Sequence, residues 1–287
     1  MHVIGEVGGS SSRWAFLAQD GTFRILPTKG ERLPGFNPLS GDGTVFAQGL
    51  REQFEGTAAE GRTVTEVTIY GAGCGTEERK QRMQAAVRTL WPEPHITVGT
   101  DLLGAALGLC APEQGLVLIL GTGMNTGYFD GQRLHCPMPS LGYILGDDAS
   151  GADIGRNLLQ DAFYGRIPEQ LHLALFGVEG PDLDGVLERI HRGPYPAREL
   201  ASYTVRIAGH LSEPYVQNLL QGRIHALAEL IVRFYPVEQR REVVATGSVA
   251  YGFREVLAEC FLDRGMTIRA VEPDPLRGLV QYHQQLR

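Results

Sequence analysis

Leu116-Val117-Leu118-Ile119-Leu120-Gly121-Thr122-Gly123-Met124-Asn125 carries an unbroken aliphatic stretch straight into a hydroxyl-bearing glycine turn, and Tyr128-Phe129-Asp130-Gly131 follows. Five consecutive aliphatic residues entering a glycine turn read as a strand. Asp-Gly between apolar runs is a hairpin signal, because those residues tolerate positive φ. The segment predicts strand, glycine turn, strand, Asp-Gly turn and a third strand over Gln132 to Cys136. The same grammar opens the chain. Val3-Ile4 leads through Gly5-Glu6-Val7 into Gly8-Gly9-Ser10-Ser11-Ser12, then Trp14-Ala15-Phe16-Leu17, an Asp20-Gly21 turn and Thr22 to Leu26. Such a repeat implies two related half-molecules.

Outside these openings, strands alternate with helices. Glu66 to Tyr70 is strand-like and breaks at Gly71-Ala72-Gly73; Met83, Ala86, Val87, Leu90 and Trp91 then fall at helical spacing. Ile96 to Val98 predicts a short strand, with Asp101 at the N-cap of a helix over Leu102 to Leu109. Further helices are expected over Gly151–Phe163, Pro168–Phe176, Asp182–His191, Arg198–Leu211, Pro214–Tyr235, Val249–Leu262 and Leu276–Gln285, and strands over Glu242–Thr246 and Thr267–Val271. This alternation predicts an α/β fold with two mixed-sheet lobes, divided near residue 102.

Composition removes several classes of function. The 287 residues are 43% apolar and 21% charged, which is globular, and the net charge of -7 comes without a basic cluster of the kind a nucleic-acid groove uses. Lys29 and Lys80 are the only lysines, and neither stands between Gly and Ser/Thr as a P-loop requires. Cys74, Cys110, Cys136 and Cys260 form no C-x-x-C, the eight histidines form no H-E-x-x-H, and no G-x-S-x-G occurs. The start of the chain has no basic leader, and Leu116–Leu120 is far too short to span a bilayer, so a cytoplasmic protein with reduced thiols and no membrane partner is expected.

The candidate site residues follow from the turns. A tight glycine turn converges backbone N–H groups, and a neighbouring hydroxyl adds a donor, so Gly8-Gly9-Ser10 and Gly121-Thr122-Gly123 suit phosphates; each alone is also an ordinary hairpin turn. Glu6 reads either as an outer-sphere magnesium ligand or as an exposed strand carboxylate. Asp101 is a helix cap or, at a strand's C-terminal end, a catalytic carboxylate. Asp147 and Asp148 precede a helix and also read as caps, while Gly247-Ser248 after a strand is a turn or a close approach to a purine.

Taken together, these openings, Tyr70 to Cys74, Asp101 to Ala105, Leu120 to Asn125, Leu141 to Gly151, Gly247 to Ala250 and Gly278 to His283 resemble the N-acetylglucosamine kinase family of the sugar kinase, heat-shock chaperone and actin superfamily. The resemblance runs in order from residue 3 to residue 283, and Gly-Tyr-Ile-Leu-Gly-Asp-Asp-Ala-Ser-Gly at 142–151 is its most specific part. It implies a two-lobed actin-like (ribonuclease H-like) duplicated fold with a central cleft, its lobes being 1–102 joined by the helix 276–287, and 103–275. It further implies ATP and Mg²⁺ with an amino-sugar acceptor. Gly8, Gly9 and Ser10 match the first phosphate motif, with Glu6 at its magnesium-associated position, and Gly121, Thr122 and Gly123 match the second. Asp101 matches the general base, Asn37, Asn125 and Asp147 the sugar contacts, and Gly247 and Ser248 the nucleotide motif. Many bacterial relatives have Asp at Glu6, Lys at Ser11 and Ser at Met124. Family members are often dimers, so a homodimer is allowed. Two other readings stand beside the kinase: an ATPase resembling 2-hydroxyacyl-CoA dehydratase activators, for which the scattered cysteines offer no cluster site, and a sugar sensor without phosphotransfer.

Overall fold

The computed structural model describes residues 1–27, 33–54 and 63–286; Lys29 and Arg287, the last residue of the expected 276–287 segment, lie outside them. The chain forms two compact units, Met1–Glu113 with Asp274–Arg287, and Gln114–Pro273.

In the first unit β1 (His2–Val7), β2 (Ser11–Leu17) and β3 (Phe23–Leu26) form an antiparallel meander, with the two-residue β4 (Leu33–Pro34) beside β2. Helix α1 (Gly43–Phe54) follows, then β5 (Glu66–Gly71), α2 (Glu77–Arg88), β6 (His95–Thr100) and α3 (Asp101–Leu109). The sheet order is β3-β2-β1-β5-β6, and β5 runs parallel to β1 and β6 to β5, joined by crossover connections that carry helices. The expected helix through Trp91 ends at Arg88. Trp91 packs instead beyond the helix end, 5.8 Å from the ring centres of both Trp14 and Phe54.

The second unit repeats this plan. Strands β7 (Gly115–Leu120), β8 (Met124–Phe129) and the short β9 (Leu134–His135) form the meander. Helices α4 (Gly142–Leu145), α5 (Gly151–Phe163), α6 (Glu169–Phe176), α7 (Leu183–Arg192), α8 (Pro196–Thr204), α9 (Pro214–Phe234) and α10 (Val237–Arg240) precede β10 (Glu242–Thr246); α11 (Ser248–Gly252), α12 (Arg254–Leu262) and β11 (Thr267–Glu272) complete it. The order β11-β10-β7-β8-β9, with β10 and β11 parallel to β7, is the first sheet's order over again. Two expected helices are shorter than their periodicity. The 198–211 pattern gives way at Thr204, whose hydroxyl donates to the Gly151 carbonyl at 2.7 Å, and continues as a 3-10 turn over Val205–Gly209. The 249–262 pattern breaks at Phe253, which leaves helical dihedrals (φ -116°, ψ 27°) and lies buried in the core.

The last helix, α13 (Leu276–Gln285), returns to the first unit. Leu276, Leu279 and Val280 are fully buried in a cluster with Ile4, Ala15, Leu17 and Tyr70. Its close crossing with α3 needs glycine, since a Cβ on Gly278 would collide with the Gly108 carbonyl oxygen. The division expected at residue 102 would cut α3 in two. Because α3 packs on α13 and on β5 and β6, the first unit runs on to Glu113 instead.

Candidate functional site

In the first unit, the turn between β1 and β2 is closed by the Gly8 N–H donating to the Ser11 carbonyl at 2.9 Å, and Phe36 N–H donates to the Gly8 carbonyl at 3.0 Å. The second bond lays the segment bearing Asn37 across the turn. Asn37 Cβ lies 3.9 Å from where a Cβ on Gly9 would stand, and its Oδ1 lies against Gly73 while accepting from Leu39 N–H at 2.9 Å. Asn37, the first glycine turn and the Gly71–Gly73 break are thereby neighbours.

Glu6 stands near the C-terminal end of β1, in register with Arg13 across the hairpin. Its carboxyl is pushed up to about 8, first by burial, then by the charges of Asp274 and Asp101, with Arg13 opposing. Arg13 is ion-paired with Asp274, which also accepts from Leu276 N–H at 3.1 Å at the start of α13. Glu6 is therefore not an exposed strand carboxylate but one that feels the charges of Asp274 and Asp101, with Arg13 opposing them. Asp101 belongs to this group without being the helix cap. Thr100 is the cap, its hydroxyl accepting from Leu103 N–H at 3.1 Å, and Asp101 is the first helical residue, accepting from Leu102 N–H at 2.8 Å. Burial, followed by the Asp101 charge, pushes the nearby Cys74 thiol up to about 12, which removes it as a thiolate nucleophile.

This donor set fits Mg²⁺ in one respect. Excess carboxylate charge raises its own protonation, and a divalent cation reverses that logic. Among the described residues no three His, Cys, Asp or Glu side chains are grouped to hold a metal directly.

In the second unit, Gly121 N–H closes its own turn by donating to the Gly123 carbonyl at 3.0 Å, and a Cβ on Gly121 would meet nothing within 4 Å. What Gly121 offers a ligand is a bare backbone surface rather than a donor. The 147–152 segment is bonded to this turn twice, by Gly151 N–H to the Gly121 carbonyl at 2.8 Å and by Ala152 N–H to the Thr122 carbonyl at 3.1 Å. Asp147 is buried, and its Oδ2 lies 2.8 Å from where a Cβ on Gly123 would stand. Neither Asp147 nor Asp148 is a cap, because Ser150 caps α5 by accepting from Asp153 N–H at 3.2 Å. Asn125 lies on β8 just beyond the turn, its Oδ1 accepting from Thr126 N–H at 3.0 Å. Gly247 has φ +107°, and a Cβ there would collide with the Leu120 carbonyl oxygen, so Gly247-Ser248 abuts the base of the same turn.

Each unit thus gathers its own share of the expected residues: Glu6, Gly8–Ser10, Asn37 and Asp101 in the first, Gly121–Gly123, Asn125, Asp147 and Gly247-Ser248 in the second. Sequence reasoning missed Arg13, Asp274, Asp153 and Arg223. Arg13 had a usable signal, since it lies two residues past Ser11 and directly follows the hydroxyl run. Arg223, in mid-helix, had none.

Neither family models nor curated protein sequences match this chain. Among solved structures, a provisionally assigned N-acetylglucosamine kinase from Porphyromonas gingivalis is similar over 99% of this chain and 99% of its own, at TM-score 0.87 and 32% identity. Another such assignment, from Chromobacterium violaceum, covers 98% of both chains at TM-score 0.73 and 18% identity. A ROK-family glucokinase from Streptomyces griseus, in complex with glucose and AMPPNP, covers 99% of this chain and 98% of its own at TM-score 0.59 and 19% identity. The last two are likenesses of fold alone. Two mixed sheets of one order, each opening on a hydroxyl-bearing glycine turn, define the two-lobed α/β fold of the actin-like sugar kinases. The chain belongs to the N-acetylglucosamine kinase family.

Proposed function

We propose that this protein is an ATP-dependent kinase that phosphorylates an amino sugar, N-acetylglucosamine, at its 6-hydroxyl. The observation that carries this reading is the 32% identity to the Porphyromonas gingivalis protein over 99% of both chains. Asp101 takes or orients the hydroxyl proton. Gly8, Gly9 and Ser10, and likewise Gly121, Thr122 and Gly123, hold phosphate, and Gly247 and Ser248 receive the adenosine. Asn37, Asn125 and Asp147 contact the sugar. Mg²⁺, when bound, would supply neutralisation of the phosphate charge, and Glu6 is the residue that would hold it, through water. Phosphoryl transfer asks for positioning and charge stabilisation more than for a strong base, so a carboxylate is adequate at position 101. The glucokinase neighbour, solved with glucose and an ATP analogue, supports the pairing of a sugar with a nucleoside triphosphate on this fold. The reading includes a cytoplasmic location; among the described residues no helix is long and apolar enough to cross a membrane.

The test is ADP release measured over a panel of N-acetylglucosamine, N-acetylmannosamine, glucosamine and glucose. Release is expected to be slow without sugar and to rise sharply with N-acetylglucosamine. Preference for another sugar keeps the kinase and replaces its acceptor, sugar-indifferent hydrolysis points to an ATPase, and sugar binding without ADP production points to a sensor.

A further inference from the structure

We infer that Arg223 and Asp153 are positioning residues that hold the Asp147 carboxylate against the second glycine turn; this rests on the reading of Asp147 as a sugar ligand. The backbone shows why such a device is needed. Asp147 has φ +58° and Ala149 φ +61°, the only non-glycine residues with positive φ among those described, and they stand two apart in a buried turn. L-residues keep that conformation only where the surroundings over-determine it.

Arg223 and Asp153 supply the restraint from one side. Asp153, on α5, is 2% exposed, and its Oδ2 accepts from Ala149 N–H at 3.0 Å and from Arg223 Nε at 2.6 Å. Its Oδ1 takes Arg156 Nη2 at 2.7 Å and Asn157 Nδ2 at 3.2 Å, so the buried carboxylate is satisfied on both oxygens. Arg223 reaches from α9 and places Nη2 2.9 Å from Asp148 Oδ1. One guanidinium therefore grips the turn at two adjacent points, through the Asp148 side chain and through the carboxylate that holds the Ala149 amide. A single ammonium cannot present that fork. From the other side, Ser150 N–H closes onto the Asp147 carbonyl at 3.0 Å, and Gly151 and Ala152 bond to the glycine turn. The glycine turn itself is fixed by the β7–β8 ladder, which pairs Leu120 with Met124 and does not depend on Arg223.

Loss of Arg223 should therefore release Asp147 while leaving the glycine turn in place. Calorimetric titrations of N-acetylglucosamine and, separately, of Mg-AMPPNP into the full-length wild type, Arg223→Met, Arg223→Lys and Asp147→Asn test this. Arg223→Met is expected to weaken sugar binding about tenfold or more, the scale of a sub-ångström to ångström misplacement, with nucleotide affinity within about twofold. Arg223→Lys should fall between wild type and Arg223→Met, and it decides on the same criteria if Arg223→Met does not fold. Unchanged sugar affinity in the Arg223 variants, or equal weakening of both ligands, overturns the inference. Asp147→Asn, which keeps a residue tolerant of positive φ, separates the two claims. If it leaves sugar binding intact, the sugar role of Asp147 falls and the inference with it; if it weakens sugar binding while the Arg223 variants bind normally, only the positioning role falls.

Discussion

Asp101 lies one position inside α3, and that single step changes what its removal should do. The cap belongs to Thr100, and Asn at 101 retains an oxygen for Leu102 N–H, so Asp101→Asn should leave the melting temperature within about 2 °C of wild type, less than a 1 kcal/mol loss would move a chain of this size. Turnover should fall by about 10²–10⁴-fold if the carboxylate handles the acceptor proton. Both are read on one preparation; a lowered melting temperature with turnover intact would return Asp101 to a structural role. Thr122 allows a second such separation. Its carbonyl holds Ala152 N–H and its hydroxyl is the proposed phosphate donor, so Thr122→Val keeps the backbone contact and a β-branched shape while removing the hydroxyl. Nucleotide binding should weaken by about 1–3 kcal/mol by calorimetry, with sugar binding unchanged. The roles of these residues were legible as alternatives and no further. Whether a carboxylate before a helix is a cap depends on which neighbour's oxygen meets the second or third amide, and a string of residue types does not carry that.

At the scale of elements, the turns were read well because their chemistry is local. Asp130-Gly131 was expected to turn β8 into β9, and Asp130 Oδ1 accepts from Gln132 N–H at 2.9 Å and Arg133 N–H at 2.7 Å while Oδ2 meets His135 Nε2 at 2.6 Å. These bonds, the His135 contact first, hold the Asp130 carboxyl down at about 2. A carboxylate depressed on folding stabilises above its unfolded value and loses that contribution as pH falls through the folded one. The difference in melting temperature between wild type and Asp130→Ala should therefore be full at pH 5 and shrink between about pH 4 and 2. A difference constant down to pH 2 would assign the effect to the turn's shape alone. Helix ends were read less well for the opposite reason. At Trp91, after Thr204 and at Phe253 the backbone abandons a helical pattern, because packing beside Trp14, a bond to the Gly151 carbonyl and core packing are contacts with segments distant in sequence.

At the scale of the whole chain, the two units differ in continuity. The second is a single run, 114–273, with its own core from Leu116 to Met266, and excised it should unfold in one cooperative transition by circular dichroism. The first needs α13. A chain ending at Pro273 loses Leu276, Leu279 and Val280 from their cluster, at about 1.5–3 kcal/mol for each buried aliphatic side chain, which together rivals the stability of a typical domain. Its first unit should fail to fold while the second keeps its transition; a truncated chain with two intact transitions would show α13 to be dispensable. The repeated opening, its hairpins and the two glycine turns were determined by sequence, because alternation and turn chemistry act over a few residues at a time. The assignment of α3 to the first unit, the Arg13–Asp274 pair beside Glu6, and the Arg223 grip on the 147–149 turn were decided only by tertiary structure. Each depends on side chains far apart in the chain meeting at a buried point, and charge and packing there are set by neighbours that no local pattern names.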